Sequence, residues 1–135
     1  MAGIHGMLWF PDNPANPPAD ATLVSHIKQQ FNRPSGQNDY LGWLDNALSS
    51  GLRQFDPELL CYIAGADPYR EDQLGGLCLT IEGLKKRDEL VFRVAKARDI
   101  PVMVTFAGGY ARIVEDTVAI HCNTVIAAKE IFGGK

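Results

Sequence analysis

Apolar residues follow two rhythms along this chain. Leu41, Leu44, Leu48 and Leu52 recur every three or four positions, with Tyr40, Ala47 and Phe55 widening the stripe. That spacing lines one side of a helix and predicts an amphipathic helix packed on something apolar. Pro34-Ser35-Gly36 marks a turn ahead of it, Asn38 or Asp39 is placed to cap it, and Asp56-Pro57 ends it, because proline pushes the preceding residue out of helical geometry.

Residues 59–64 and 102–106 are instead apolar without alternation, as expected of short strands covered on both faces. Between them Thr80 is placed as an N-cap, with Glu82 in the first turn where the helix dipole favours an anion. Leu84, Val91, Val94 and Ala95 predict an apolar side for this helix, and Lys85, Lys86, Arg87 and Asp88 a solvated one. Strand, helix and strand make a βαβ unit, which is right-handed and parallel in nearly all cases. A last helix after Tyr110 carries Val114, Val118, His121 and Val125 on one face. The expected fold is α/β, a short, mainly parallel sheet with flanking helices, in one domain over residues 1–135.

Upstream, residues 1–10 are mostly apolar, and Met7-Leu8-Trp9-Phe10 reads as a strand end or an element packed on one. Pro11, Pro14, Pro17 and Pro18 remove backbone donors across residues 11–22, which makes that stretch a loop. With 135 residues, 46% hydrophobic and 21% charged, the chain has the size and balance of a single soluble domain. A net charge of −3 with scattered lysines and arginines leaves no footprint for a nucleic-acid backbone. The N-terminus lacks a basic segment followed by a long apolar core, and no run approaches the ~18 apolar residues of a membrane span. A cytoplasmic location away from membranes is therefore expected. Cys61, Cys78 and Cys122 show no C-x-x-C spacing, so each is expected to be a small buried hydrophobe.

The chemistry sits where the two strands stop. The first runs into Gly65-Ala66-Asp67-Pro68 and the second into Ala107-Gly108-Gly109-Tyr110. Parallel pairing brings both ends to one edge, and ligands bind at that edge in open α/β folds. Taken alone, Asp67 ahead of proline also suits a turn cap, and Tyr110 suits a packing aromatic. His121 is expected to be a satisfied core histidine, and Glu71 and Asp72 solvated loop acids, with Asp72 also placed to fix the loop presenting Leu74.

Residues 65–77 (Gly-Ala-Asp-Pro-Tyr-Arg-Glu-Asp-Gln-Leu-Gly-Gly-Leu), then Leu79-Thr80-Ile81-Glu82-Gly83, then Ala107-Gly108-Gly109-Tyr110, together resemble the C-terminal part of the histone deacetylase superfamily. That superfamily includes acetoin-utilisation and acetylpolyamine-hydrolase relatives. His5 with Phe10-Pro11, and Gly36-x-x-Asp39-Tyr40-Leu41, resemble segments that occur in the same order there. The resemblance implies the second half of the arginase/deacetylase fold. It implies Asp67 as a zinc ligand, Tyr110 as catalytic donor to the acetyl carbonyl and its oxyanion, Gly108 and Gly109 as a close backbone approach to substrate, and Leu74 as a wall of the acyl channel.

The departures from that pattern are as informative as the match. No Asp-x-His occurs in the chain, and His5, His26 and His121 are isolated, so two zinc ligands and the family's adjacent His-His pair are missing. No metal is expected in the isolated chain, and zinc only where another chain completes the site. Two readings follow. One is a zinc-dependent amide hydrolase of acetyl-lysine or acetylated amines whose missing ligands come in trans. The other is a non-catalytic remnant that binds itself or a partner. A half-sheet leaves an edge and an apolar face uncovered, so a homo-oligomer, a dimer, is expected.

Overall fold

The computed structural model describes residues 36–134. The expectations for residues 1–10, the loop at 11–22, His5 and His26 fall outside the described residues, as does the side chain of Phe55. Within them the order is α1 (Gly36–Phe55), β1 (Leu60–Gly65), α2 (Ile81–Ala97), β2 (Val102–Ala107) and α3 (Val114–Phe132). The strands pair in parallel from Leu60 opposite Val102 to Gly65 opposite Ala107. This is the expected short parallel sheet with flanking helices. No helix among the described residues is long and apolar enough to cross a membrane.

α1 begins at Gly36, so Asn38 and Asp39 lie within its first turn and do not cap it from outside. Tyr40, Leu44, Leu48 and Leu52 form its buried stripe, while Leu41 packs at the margin of the core. At its end Asp56 takes a left-handed φ of 42° and its N–H bonds back to Leu52 O at 3.2 Å. A left-handed cap therefore closes the helix, and not the extended geometry that proline favours in its neighbour.

α2 starts as expected. Thr80 is extended and its Oγ1 accepts the Gly83 N–H at 2.9 Å. The Thr80 N–H and hydroxyl both donate to Gln37 Oε1, at 3.1 and 2.8 Å, which ties α1 to this cap. Leu84, Val91, Phe92 and Ala95 then enter the core with the α1 stripe, Leu60, Ile100, Ile120 and Ala127. Phe92 meets Tyr62 edge-on at 5.8 Å and Phe132 at 5.8 Å, so one ring joins β1, α2 and α3.

Arg87 and Asp88 are buried, contrary to the solvated face expected of them. Arg87 Nε and Nη2 lie 2.9 and 2.8 Å from Asp88 Oδ1, and Nη1 donates to Gly65 O at 2.6 Å. Tyr62 Oη donates to Asp88 Oδ1, and Thr124 Oγ1 donates to Oδ2 at 2.6 Å. Each charge is thus paired, and Arg87 is hydrogen-bonded through Nε and Nη1 while Nη2 contributes to the ion pair alone among the described residues; pairing is the condition under which burial is tolerated. Burial pushes the Tyr62 phenol well above its ordinary range, with Asp88 adding to the push and Arg87 opposing it. Burial alone would lower the Arg87 pKa, but Tyr62, Asp88 and Tyr40 overcome it and hold the guanidinium charged.

Three further expectations are corrected. The strands are covered on one face, not two: Leu60 and Ala64 are buried, while Cys61, Ile63, Met103 and Thr105 are exposed, Ile63 by 64%. Cys61 pairs with Met103 and Ile63 with Thr105, so the open residues form one continuous face. On α3 the buried arc is Ile120, Thr124 and Ala127, whereas Val114, Val118 and Val125 are exposed. A helix with apolar residues on more than one side buries only the arc that finds a partner. Cys61 and Cys122 are exposed and Cys78 is half-buried, so none is the fully buried hydrophobe expected.

Candidate functional site

Parallel pairing delivers Asp67 and Tyr110 to the same edge. Beyond the last paired residues, Ala66 N–H donates to Ala107 O at 2.9 Å, which keeps the two exits in register. The close contact follows immediately. Gly108, with φ of +63°, lies so near Asp67 that a Cβ there would collide with both carboxylate oxygens. Gly109 follows at φ of +114°, with Thr117 of α3 packed beneath it. Only residues without a side chain suit a left-handed turn pressed against a carboxylate, which is the physical content of the paired glycines.

The loop after Asp67 is then stitched to the Gly-Gly-Tyr loop. Asp72 is buried, not solvated. Its Oδ1 accepts the N–H groups of Leu74 and Gly75 at 2.8 and 2.6 Å, and its Oδ2 accepts the Tyr110 N–H at 2.8 Å. Gln73 donates to Tyr110 O from both its backbone N and its Nε2, each at 3.1 Å. Arg112 N–H donates to Glu71 O at 3.2 Å, completing an antiparallel bridge between Asp72 and Ala111. Tyr69, next to Pro68, sends its hydroxyl to Asp116 Oδ2 of α3 at 2.9 Å.

The side chains that the sequence singled out occupy this rim differently. Asp67 is half-buried against Gly108, and Tyr110 stands out with 55% of its surface exposed. Leu74, at the tip of the Asp72-held loop, is exposed. Glu71 is exposed and ion-paired with Arg70 at 3.8 Å. His121 is only partly covered, with its ring 4.8 Å from that of Phe106. Its Nδ1 and Thr117 Oγ1 are buried with no hydrogen-bond partner among the described residues, so the satisfied core histidine is not what forms.

Among the described residues no three His, Cys, Asp or Glu side chains converge on a point that could hold a metal ion. A catalytic zinc takes three protein ligands and an open position, and Asp67 with its described neighbours does not meet that requirement. What the rim does present is a carboxylate, a phenol and an exposed leucine on two loops held together by backbone hydrogen bonds. The sequence offered Asp72 both as a solvated acid and as an anchor of the loop presenting Leu74; the anchor is what forms, and its reach across to Tyr110 is what the sequence left unread. The available signal was an acid ahead of Leu74-Gly75-Gly76, where a short carboxylate can gather successive amides.

Comparison with known proteins bears on the same residues. The histone deacetylase domain matches residues 5–125. Histone deacetylase 2 of Arabidopsis thaliana is 38% identical over 112 residues, covering 78% of this chain and 29% of that protein. An uncharacterized protein of Picosynechococcus sp. is 37% identical over 101 residues, covering 73% of this chain and 34% of its own length. Histone deacetylase 6 of Caenorhabditis elegans is 28% identical over 89 residues, covering 66% of this chain and 9% of that protein. The chain spans about a third or less of these relatives. The match embraces both strand-end motifs and the helix between them, and by it this chain belongs to the histone deacetylase domain family.

Proposed function

We propose that this chain supplies one side of a deacetylase site and is not a competent amide hydrolase by itself. Asp67 contributes one zinc ligand, and Tyr110 donates its phenolic O–H to the acyl carbonyl and then to the oxyanion of the tetrahedral intermediate. Leu74, with the Gly108-Gly109 backbone, forms a wall of the channel that takes an acetyl-lysine or acetylated amine chain. The close approach of Gly108 to the Asp67 carboxylate carries this reading, because it sets ligand and donor on adjoining loops of one rim.

The missing ligands and the general base come from another stretch of polypeptide bearing Asp-x-His and His-His. The relatives are more than twice as long as this chain, which supports that source. The same polypeptide would cover the open face at Ile63 and Met103. A non-catalytic remnant that self-associates through this face is the second reading, favoured by the same exposed apolar residues.

Zinc content tests the proposal. Protein purified and dialysed without chelator is expected to hold far less than one zinc per chain and to leave an acetyl-lysine fluorogenic peptide intact. Co-expression with a polypeptide carrying Asp-x-His and His-His is expected to restore both, and Asp67→Ala to remove them again. Stoichiometric zinc in the isolated chain, abolished by Asp67→Ala, overturns the half-site. Failure of every complementing polypeptide, with self-association intact, favours the remnant.

A further inference from the structure

We infer that Asp72 is a positioning residue whose buried carboxylate sets where Tyr110 stands relative to Asp67. The inference rests on the reading of Tyr110 as the oxyanion donor, but its test does not. Three backbone N–H groups converge on this one side chain, two from its own loop and one from the loop after β2. Its two oxygens divide the work: Oδ1 folds residues 72–75 into a tight turn, and Oδ2 reaches across to the amide of Tyr110 itself. The hydrogen-bonded loops therefore share one anionic centre, and neither can shift without breaking a bond to it.

Charge and burial make that centre stiff. Hydrogen bonds to an ionised acceptor are shorter and about twice as strong as neutral ones, and the distances of 2.6–2.8 Å are in that class. The contacts from Gln73 and Arg112 run beside this clamp but are made to backbone oxygens. Among the described residues Asp72 alone holds the Tyr110 N–H, so it fixes the residue immediately after the two left-handed glycines. Those glycines have the widest conformational freedom in the loop, and an anchor just beyond them decides the direction in which the phenol leaves the backbone.

Asp72→Asn separates this role from general support, because it keeps the size and loses one acceptor. An amide turned either way places an NH2 against at least one of the three N–H donors. Amide hydrogen exchange, read by NMR on the full chain, is the measurement. In Asp72→Asn, protection at Tyr110, or at Leu74 and Gly75, is expected to fall about 10- to 100-fold, the loss of a hydrogen bond to a charged acceptor, while Ala64 and Leu84 keep theirs. Uniform loss across the chain, or unchanged protection at all three amides, overturns the assignment.

Should the variant not fold, the native chain still decides. A scalar coupling through the hydrogen bond between the Tyr110 nitrogen and the Asp72 carboxyl carbon is expected, and its absence with the loop otherwise ordered overturns the assignment. Both measurements stand whether or not zinc binds, so a failed clamp and a failed half-site are told apart.

Discussion

The rim at the C-terminal ends of the strands and the sheet face just below it are finished in different ways. At the rim, loops close on themselves: Asp72 gathers three amides, Gln73 and Arg112 bond across, and the glycines pack against Asp67 and Thr117. On the face below, Cys61, Ile63, Met103 and Thr105 stand uncovered, and the outer arc of α3 with Val114, Val118 and Val125 is likewise bare. Polar groups at the rim find partners on the neighbouring loop that the parallel strands bring alongside, 38 positions away for Asp72 and Tyr110, so the described residues complete them. An apolar sheet face is covered only by another layer, which must come from elsewhere in the polypeptide or from another chain.

The strongest way to break this contrast is to attack the covered side. Asp88→Ala leaves Arg87 buried without its carboxylate and strips Tyr62 and Thr124 of an acceptor. A loss of about 3–5 kcal/mol is expected in urea or thermal unfolding. A loss below about 1 kcal/mol would mean that water reaches this network and that the closed side is not closed.

Gly108→Ala probes the rim at its tightest point. The left-handed conformation alone costs a residue with a side chain roughly 1–2 kcal/mol, and the new Cβ must also push the Asp67 carboxylate away. Moderate destabilisation is expected, with NMR shift changes concentrated at residues 65–75 and 107–112. Changes spread evenly over α1 and α2 would show that the rim is not an independently completed unit.

The smallest effect on stability is expected on the open face. Ile63→Ser and Val118→Ser each change unfolding by no more than about 0.5 kcal/mol, as for surface substitutions. On the self-association reading, sedimentation is expected to show weaker association in both than in the native chain. A penalty of a few kcal/mol, the size of a core truncation, would mean the face is packed, and the comparison would fail.

Much of the framework was legible in the chain because it is written locally. Thr80 as N-cap, the stop at Asp56, the leucine stripe of α1 and the two strand ends each depend on residues within a turn or two. The facing of Asp67 and Gly108 follows from parallel pairing, so the rim was legible too. Asp72 was only half legible. Its bonds to Leu74 and Gly75 are local, but its bond to Tyr110 spans 38 positions and depends on the sheet bringing the loops together.

By itself, then, the sequence determined which of the described segments are helix and strand, where α1 stops and α2 begins, and which motifs sit at the strand ends, because caps, turns and periodicity act over a few residues. Only the tertiary structure decided which arc of α3 turns inward and that Arg87 and Asp88 are core residues. Periodicity marks which positions share a side but not which side meets a partner, and α3 is apolar on two. Whether a charged pair can be buried depends on acceptors and donors far along the chain, here Gly65 O 22 positions before Arg87 and Thr124 36 positions after Asp88.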